Sequence, residues 1–236
     1  MQSRTGKVFK IHNELNSHGF ESPRLVFSMV NRESKTTTVG VTTGDFVVLA
    51  ADKRATAGSA VYHKAVRKIA KITDKAAMTI SGLVADAQVL VENMRYIARD
   101  YEVSFGKPMS IKSMASTLSL ILSTYLRVYP FIVQLLLGGY DDVEGPSLYY
   151  LDLYGTVTRE KYMATGSGSP VAFGVLETGF KENMSVEEAV DLAVKAVNAA
   201  LMRDGFTGEG IDVLVIGRQG VVLEKTIQLK KTIASF

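Results

Sequence analysis

Strand-like and helix-like segments in this chain come in groups rather than in alternation. Thr37-Thr38-Val39-Gly40-Val41 and Phe46 to Ala50 flank Thr43-Gly44-Asp45 and read as two antiparallel strands joined by a Gly-containing turn, with more β texture from Ala76 to Ser81. Two amphipathic helices follow. Val84 to Arg99 places Ala87, Leu90, Val91, Met94, Ile97 and Ala98 at three-and-four spacing, and Ile111 to Val128 repeats the habit with Met114, Leu118, Ile121, Leu122 and Leu126. Phe131 to Leu137, Ser147 to Leu153 and Glu160 to Ala164 read as strands, separated by Gly138-Gly139 and by Tyr154-Gly155. A short helix begins near Pro170, and Ser185 with Glu188 forms a capping-box sequence that opens another helix through Leu201. Ile211 to Ile216 and Val221 to Ile227 close the chain as a strand pair. Hairpins separated by helix pairs argue against a doubly wound parallel sheet, in which strands and helices alternate one by one. Two antiparallel sheets stacked face to face, with a helix pair outside each, would bury every apolar face. The expected class is therefore α+β, a four-layer αββα sandwich.

No Pro/Gly/Ser-rich linker divides the chain after Lys35, so 36–236 is expected to be one domain. Residues 1–35 have weak periodicity and breaks at Ser17-His18-Gly19 and Glu21-Ser22-Pro23, which read as a loosely ordered extension. The net charge of +3 sits wholly in that extension. It carries six basic and three acidic side chains, so of 27 basic and 24 acidic groups in the chain, 21 of each remain from Thr36 onward. A neutral body argues against a phosphate-binding surface, and no nucleic-acid partner is expected. No apolar run approaches the ~20 residues of a membrane span, and Met1 to Lys10 lacks an apolar secretory core, so a cytoplasmic protein without a membrane partner is expected.

Cysteine is absent, which excludes disulfides, thiol nucleophiles and Cys-bound zinc. No metal or cofactor is expected. Histidine occurs only at 12, 18 and 63, so a Ser/His/Asp triad in the body would have to rest on His63. If the chain hydrolyses anything, its general base is not expected to be histidine. Thr36-Thr37-Thr38 offers hydroxyls instead, although three β-branched residues in a row, taken alone, are strand filler.

Thr36-Thr37-Thr38-Val39-Gly40 is followed by Ala51-Asp52-Lys53-Arg54, Lys68, Ser81-Gly82-Leu83-Val84-Ala85-Asp86, Gly166-Ser167-Gly168-Ser169-Pro170 and Arg203-Asp204. With these motifs in this order, Thr36 to Phe236 resembles the proteasome β-subunits, closest to the archaeal type. The resemblance implies the αββα fold of N-terminal nucleophile hydrolases, in agreement with the layers above. It also implies a threonine-type endopeptidase, made as a precursor, in which removal of a pro-segment leaves Thr36 as first residue. The freed α-amine, which titrates near ~7.7 to 8.0 in model peptides, then serves as base for the hydroxyl of the same residue.

By the same resemblance Asp52 orients Lys68, Lys68 lowers the pKa of the Thr36 hydroxyl, and Gly82 supplies an oxyanion-hole N–H. Ser167 and Asp204 hold the Thr36 amine and hydroxyl, and Thr207 falls where the family commonly has Ser. Ala55, Val66, Ala70, Ile80 and Val84 would line an uncharged specificity pocket, with Thr56 bonding the peptide backbone, so cleavage of unfolded polypeptides after hydrophobic residues is expected. The family implies α-subunits and other β-subunits as partners in stacked seven-membered rings, and an ATPase regulator acting through the α-ring. The pro-segment would be 1–35, or 29–35 if Met29 is the start. One departure bears on processing: active members usually have Gly before the nucleophile, and this chain has Lys35. A non-catalytic subunit that keeps its pro-segment and completes a mixed β-ring is the alternative.

Overall fold

The computed structural model describes residues 36–57 and 60–228. The proposed pro-segment, with Lys35, lies outside the described residues. Strands β1 (Thr38–Thr42), β2 (Val47–Asp52), β10 (Tyr162–Thr165), β11 (Gly210–Gly217) and β12 (Gly220–Gln228) form one sheet, in the order β10-β1-β2-β11-β12. A second sheet has the order β5-β6-β7-β8-β9, built from Ile69–Thr73, Ala76–Gly82, Val133–Asp141, Gly145–Asp152 and Val157–Glu160. All neighbours in both sheets pair antiparallel. A separate ribbon joins β3 (Ala55–Ala57) to β4 (Ala60–His63).

The period of two along a strand explains how the sheets stack. In β2, Val47 and Leu49 point into a cluster with Ala77, Leu136 and Leu148 of the second sheet. The intervening Val48 and Ala50 face the other way, into a cluster with Leu176, Ala193 and Val197. Strand β7 does the same, with Leu136 between the sheets and Leu135 and Leu137 beneath helices. Both strands are buried on two faces, which is why they read as continuous apolar runs. Helices α1 (Val84–Phe105) and α2 (Ile111–Tyr125) cover the second sheet through Leu90, Met94, Leu118 and Leu122. Helices α3 (Ser169–Gly179) and α4 (Val186–Arg203) cover the first. The result is the expected four-layer α+β sandwich. Among the described residues, no helix is long and apolar enough to cross a membrane.

Several boundaries differ from expectation. Helix α1 runs on to Phe105, past Arg99, because its exposed last turns meet no breaker until Gly106, whose N–H bonds the Glu102 carbonyl in left-handed conformation. Helix α2 stops at Tyr125 rather than Val128, where the Val128 N–H bonds the Tyr125 carbonyl at 3.1 Å in a tighter turn. Gly138 and Gly139 do not end a strand but lie inside β7. A Cβ at Gly138 would stand 2.8 Å from Val47 Cγ1, and one at Gly139 would stand 2.5 Å from both Ile111 Cδ1 and the Lys75 carbonyl oxygen. Here glycine marks close approach, not a turn. Glu160 to Ala164 is not one strand: β9 ends at Glu160 in the second sheet and β10 begins at Tyr162 in the first. Lys161 makes the crossing, its carbonyl accepting from the Thr42 amide and hydroxyl, both at 2.8 Å. Strands β3, β4 and β5 had no sequence signal, β4 being exposed along its whole length.

Candidate active site

Thr36, Asp52 and Lys68 meet in one buried cluster, with relative exposures of 3%, 0% and 6%. Thr36 stands two residues ahead of β1, Asp52 ends β2 beside it, and Lys68 immediately precedes β5 of the other sheet. The register Thr38↔Ala51 brings the start of β1 against the end of β2. The Lys68 carbonyl accepts the Ile80 N–H at 2.8 Å, tying the lysine to β6. The Thr36 hydroxyl donates to Asp52 Oδ1 at 2.5 Å and accepts a short hydrogen bond from Lys68 Nζ, which also donates to Asp52 Oδ1 at 2.6 Å.

Backbone amides complete the shell of Asp52. Thr37 N–H reaches Oδ1 at 3.0 Å, and the N–H groups of Arg54 and Gly208 reach Oδ2 at 3.1 and 3.0 Å. Five donors on one carboxylate hold its plane fixed. Burial pushes the Lys68 ammonium below its ordinary pKa, while the attraction and hydrogen bond of Asp52 oppose that fall.

A second group of polar side chains lies behind Thr36. Ser167, in the link between β10 and α3, and Asp204, the residue that caps α4, meet through a Ser167 Oγ to Asp204 Oδ2 bond of 2.7 Å. Ser167 has a single hydroxyl proton, and the short contact gives it to Asp204, so Ser167 Oγ accepts the Thr36 N–H at 3.2 Å. Thr207 donates to the same carboxylate oxygen at 2.5 Å, leaving the Thr37 hydroxyl to donate to Thr207 Oγ1 at 2.7 Å. The Thr36 carbonyl accepts the Gly168 N–H at 3.3 Å, and a side chain at Gly166 would strike that carbonyl oxygen at 2.2 Å. Thr38 turns elsewhere: its hydroxyl lies 2.9 Å from that of Thr79 and 2.7 Å from that of Thr165. Of three consecutive threonines, then, only Thr36 touches both Lys68 and Asp52.

Gly82 ends β6 with φ +116°, and a Cβ there would fall 2.2 Å from the Ile132 carbonyl oxygen, so only glycine fits. The expected pocket residues are distributed over several elements. Ala70 on β5 and Ile80 on β6 pack against the core beneath α1, and Val84 opens α1 at 43% exposure. Val66 bonds the Lys53 carbonyl through its N–H at 3.0 Å, and Ala55 and Thr56 begin β3. The Thr56 hydroxyl oxygen is buried without a hydrogen-bond partner, a state that calls for an explanation. Sequence reasoning missed Thr37 and the Gly208 amide, whose parts depend on chain path rather than on residue type.

A sequence model of the family described as "Proteasome subunit" matches residues 33–216. A protein named "Proteasome subunit beta 2" from Desulfurococcus amylolyticus is 70% identical over 202 residues, covering 86% of this chain and 97% of that one. One of the same name from Staphylothermus marinus is 60% identical over 200 residues, covering 85% and 95%. "Proteasome subunit beta 1" from Pyrobaculum neutrophilum is 50% identical over 200 residues, covering 84% and 99%.

Proposed function

The chain belongs to the proteasome family as a β-subunit of archaeal type, and on that premise we propose that it is a threonine endopeptidase whose nucleophile is Thr36. The observation that carries this reading is the pairing of one buried hydroxyl with both an ammonium and a carboxylate: Thr36 Oγ1 accepts from Lys68 Nζ and donates to Asp52. An ammonium beside a hydroxyl favours its ionisation. While Lys35 remains attached, the Thr36 nitrogen is an amide and cannot act as a base. Cleavage of Lys35-Thr36 frees it as an amine, held by Ser167, which Asp204 orients while Thr207 holds Asp204.

In the proposed reaction the amine takes the hydroxyl proton as Thr36 Oγ1 adds to the scissile carbonyl, and the new oxyanion accepts the Gly82 N–H. The tetrahedral species expels the leaving amine, which receives that proton. Water then adds to the Thr36 ester, with the α-amine again as base, and returns the free hydroxyl. Ala55, Val66, Ala70, Ile80 and Val84 form the uncharged wall beside the cut, and Thr56 bonds the peptide backbone. Family membership implies assembly into proteasome complexes; stacked seven-membered rings of α- and β-subunits, entered through an ATPase, are the arrangement we propose. Lys35 favours a second reading, a subunit that is never cleaved and serves the ring structurally. The retained Thr36, Asp52 and Lys68 cluster supports the catalytic one.

The test is peptide cleavage by the assembled particle. Thr36→Ala should abolish turnover. The native subunit should prefer Leu, Phe or Tyr over Arg or Glu before the cut by at least about tenfold in kcat/KM, a ratio that needs only ~1.4 kcal/mol in the transition state. Turnover retained by Thr36→Ala would remove the nucleophile assignment, and a preference for Arg or Glu would remove the pocket.

A further inference from the structure

Helix α1 begins without the usual polar cap. Its N-cap is Leu83, which has no side-chain acceptor to offer, although the acid Asp86 stands at the third helical position. An acid there ordinarily reaches back to the N-cap's own N–H. In this chain the Leu83 N–H donates instead to the Ile132 carbonyl at 2.8 Å, and Asp86 Oδ2 accepts the Ile132 N–H at 2.8 Å. The start of α1 thus grips both backbone polar groups of one residue, 46 positions away, just ahead of β7. Asp86 is buried, with 6% exposure, and burying a carboxyl is costly without such a bond.

The gripped residue is the one on which Gly82 rests. An ideal Cβ on Gly82 would lie 2.2 Å from the Ile132 oxygen, 2.9 Å from Val133 Cα and 3.0 Å from the Ile132 carbonyl carbon. There is no slack at this contact, so a shift of the Ile132 peptide must be answered by rotation at Gly82, whose left-handed backbone turns easily. We propose that Asp86 is a positioning residue for the oxyanion site: by fixing the Ile132 peptide it fixes the orientation of the Gly82 N–H, without touching the substrate itself. This inference rests on the reading that Gly82 receives the oxyanion of a Thr36 adduct.

Misaim of such a donor weakens the transition state and leaves the ground-state complex intact. In the assembled particle, Asp86→Ala should lower kcat by at least about tenfold, with KM changed by less than about twofold. Asp86→Asn keeps an oxygen acceptor for the Ile132 N–H and should restore kcat to within about threefold of the native subunit. A peptide boronate, whose boron becomes tetrahedral on adding the Thr36 hydroxyl, should lose affinity in step with kcat, while an unreactive peptide amide of the same sequence should bind as before. If Asp86→Ala does not assemble, Asp86→Glu, which displaces the acceptor by one methylene, should show the same selective loss. Unchanged kcat in these variants, or equal loss of both ligands, would overturn the inference. A native particle that cleaves peptides and binds the boronate, with variants that match it, refutes Asp86 alone; a native particle that binds no boronate at Thr36 refutes the nucleophile reading with it.

Discussion

Lys68 surrenders most of its water to reach Thr36, and its pKa falls because burial penalises the ammonium more than Asp52 rewards it. Between that depressed value and the ordinary lysine value of about 10.4, the unfolded chain binds more protons at this site than the folded one. Stability supplied through this site therefore rises with pH across the window and is lowest where the folded lysine is fully protonated. Chemical denaturation of the native chain and of Lys68→Met over the alkaline range should show their stability difference moving in favour of the native chain as pH rises. A flat difference would mean that Lys68 is not held against its charge. Lys68→Ala and Lys68→Arg should both reduce peptide cleavage to background, since guanidinium is a wide planar fork where a compact ammonium is needed. Asp52, Lys68, Ser167 and Asp204 entered the expected site through the resemblance to the proteasome β-subunits, not through residue type alone, and the fold groups all four around Thr36. Thr37 and the Gly208 amide did not enter it. Their contacts arise where the chain carries a backbone N–H past the Asp52 carboxylate, or the Thr37 hydroxyl past that of Thr207, and no residue type announces that.

At the scale of elements, residue spacing succeeded where burial is one-sided and failed where it is two-sided or absent. Helix α4 shows the success: Ser185 accepts the Glu188 N–H at 3.2 Å and Glu188 accepts the Ser185 N–H at 2.7 Å, as their spacing requires. Strand β7 shows the failure, since its two glycines look like punctuation and are in fact the places where Val47, Ile111 and Lys75 press closest. Gly139→Ala should consequently destabilise the chain by about 1 to 3 kcal/mol, because a backbone carbonyl cannot step aside as a side chain can. Gly44 offers the contrast: nothing lies within 4 Å of its missing Cβ, and Gly44→Ala should be neutral or stabilise by up to about 1 kcal/mol through the unfolded state. Urea midpoints of the two variants decide this, and equal losses would contradict the packing described for β7.

Over the whole molecule, the grouping of hairpins and helix pairs fixed the layer order, because only a stacked pair of sheets hides both faces of β2 and β7 while each helix pair hides one stripe. The cluster around Thr36 draws on three of the four layers. The first sheet brings Thr36 and Asp52, the second brings Lys68 and Gly82, and the helices above the first sheet are flanked by Ser167 and Asp204. The stretch before β5 was hard to read for the same reason, since residues that serve a site between layers carry little periodicity of their own. In the proposed function, what joins all of this to catalysis is a single covalent event, the release of the Thr36 nitrogen. The most direct measurement is the intact mass of the subunit taken from an assembled, active particle. The expected mass is that of a chain beginning at Thr36; an assembled particle that cleaves peptides while its subunit still carries Met29 to Lys35 would contradict the assignment of Thr36 as nucleophile.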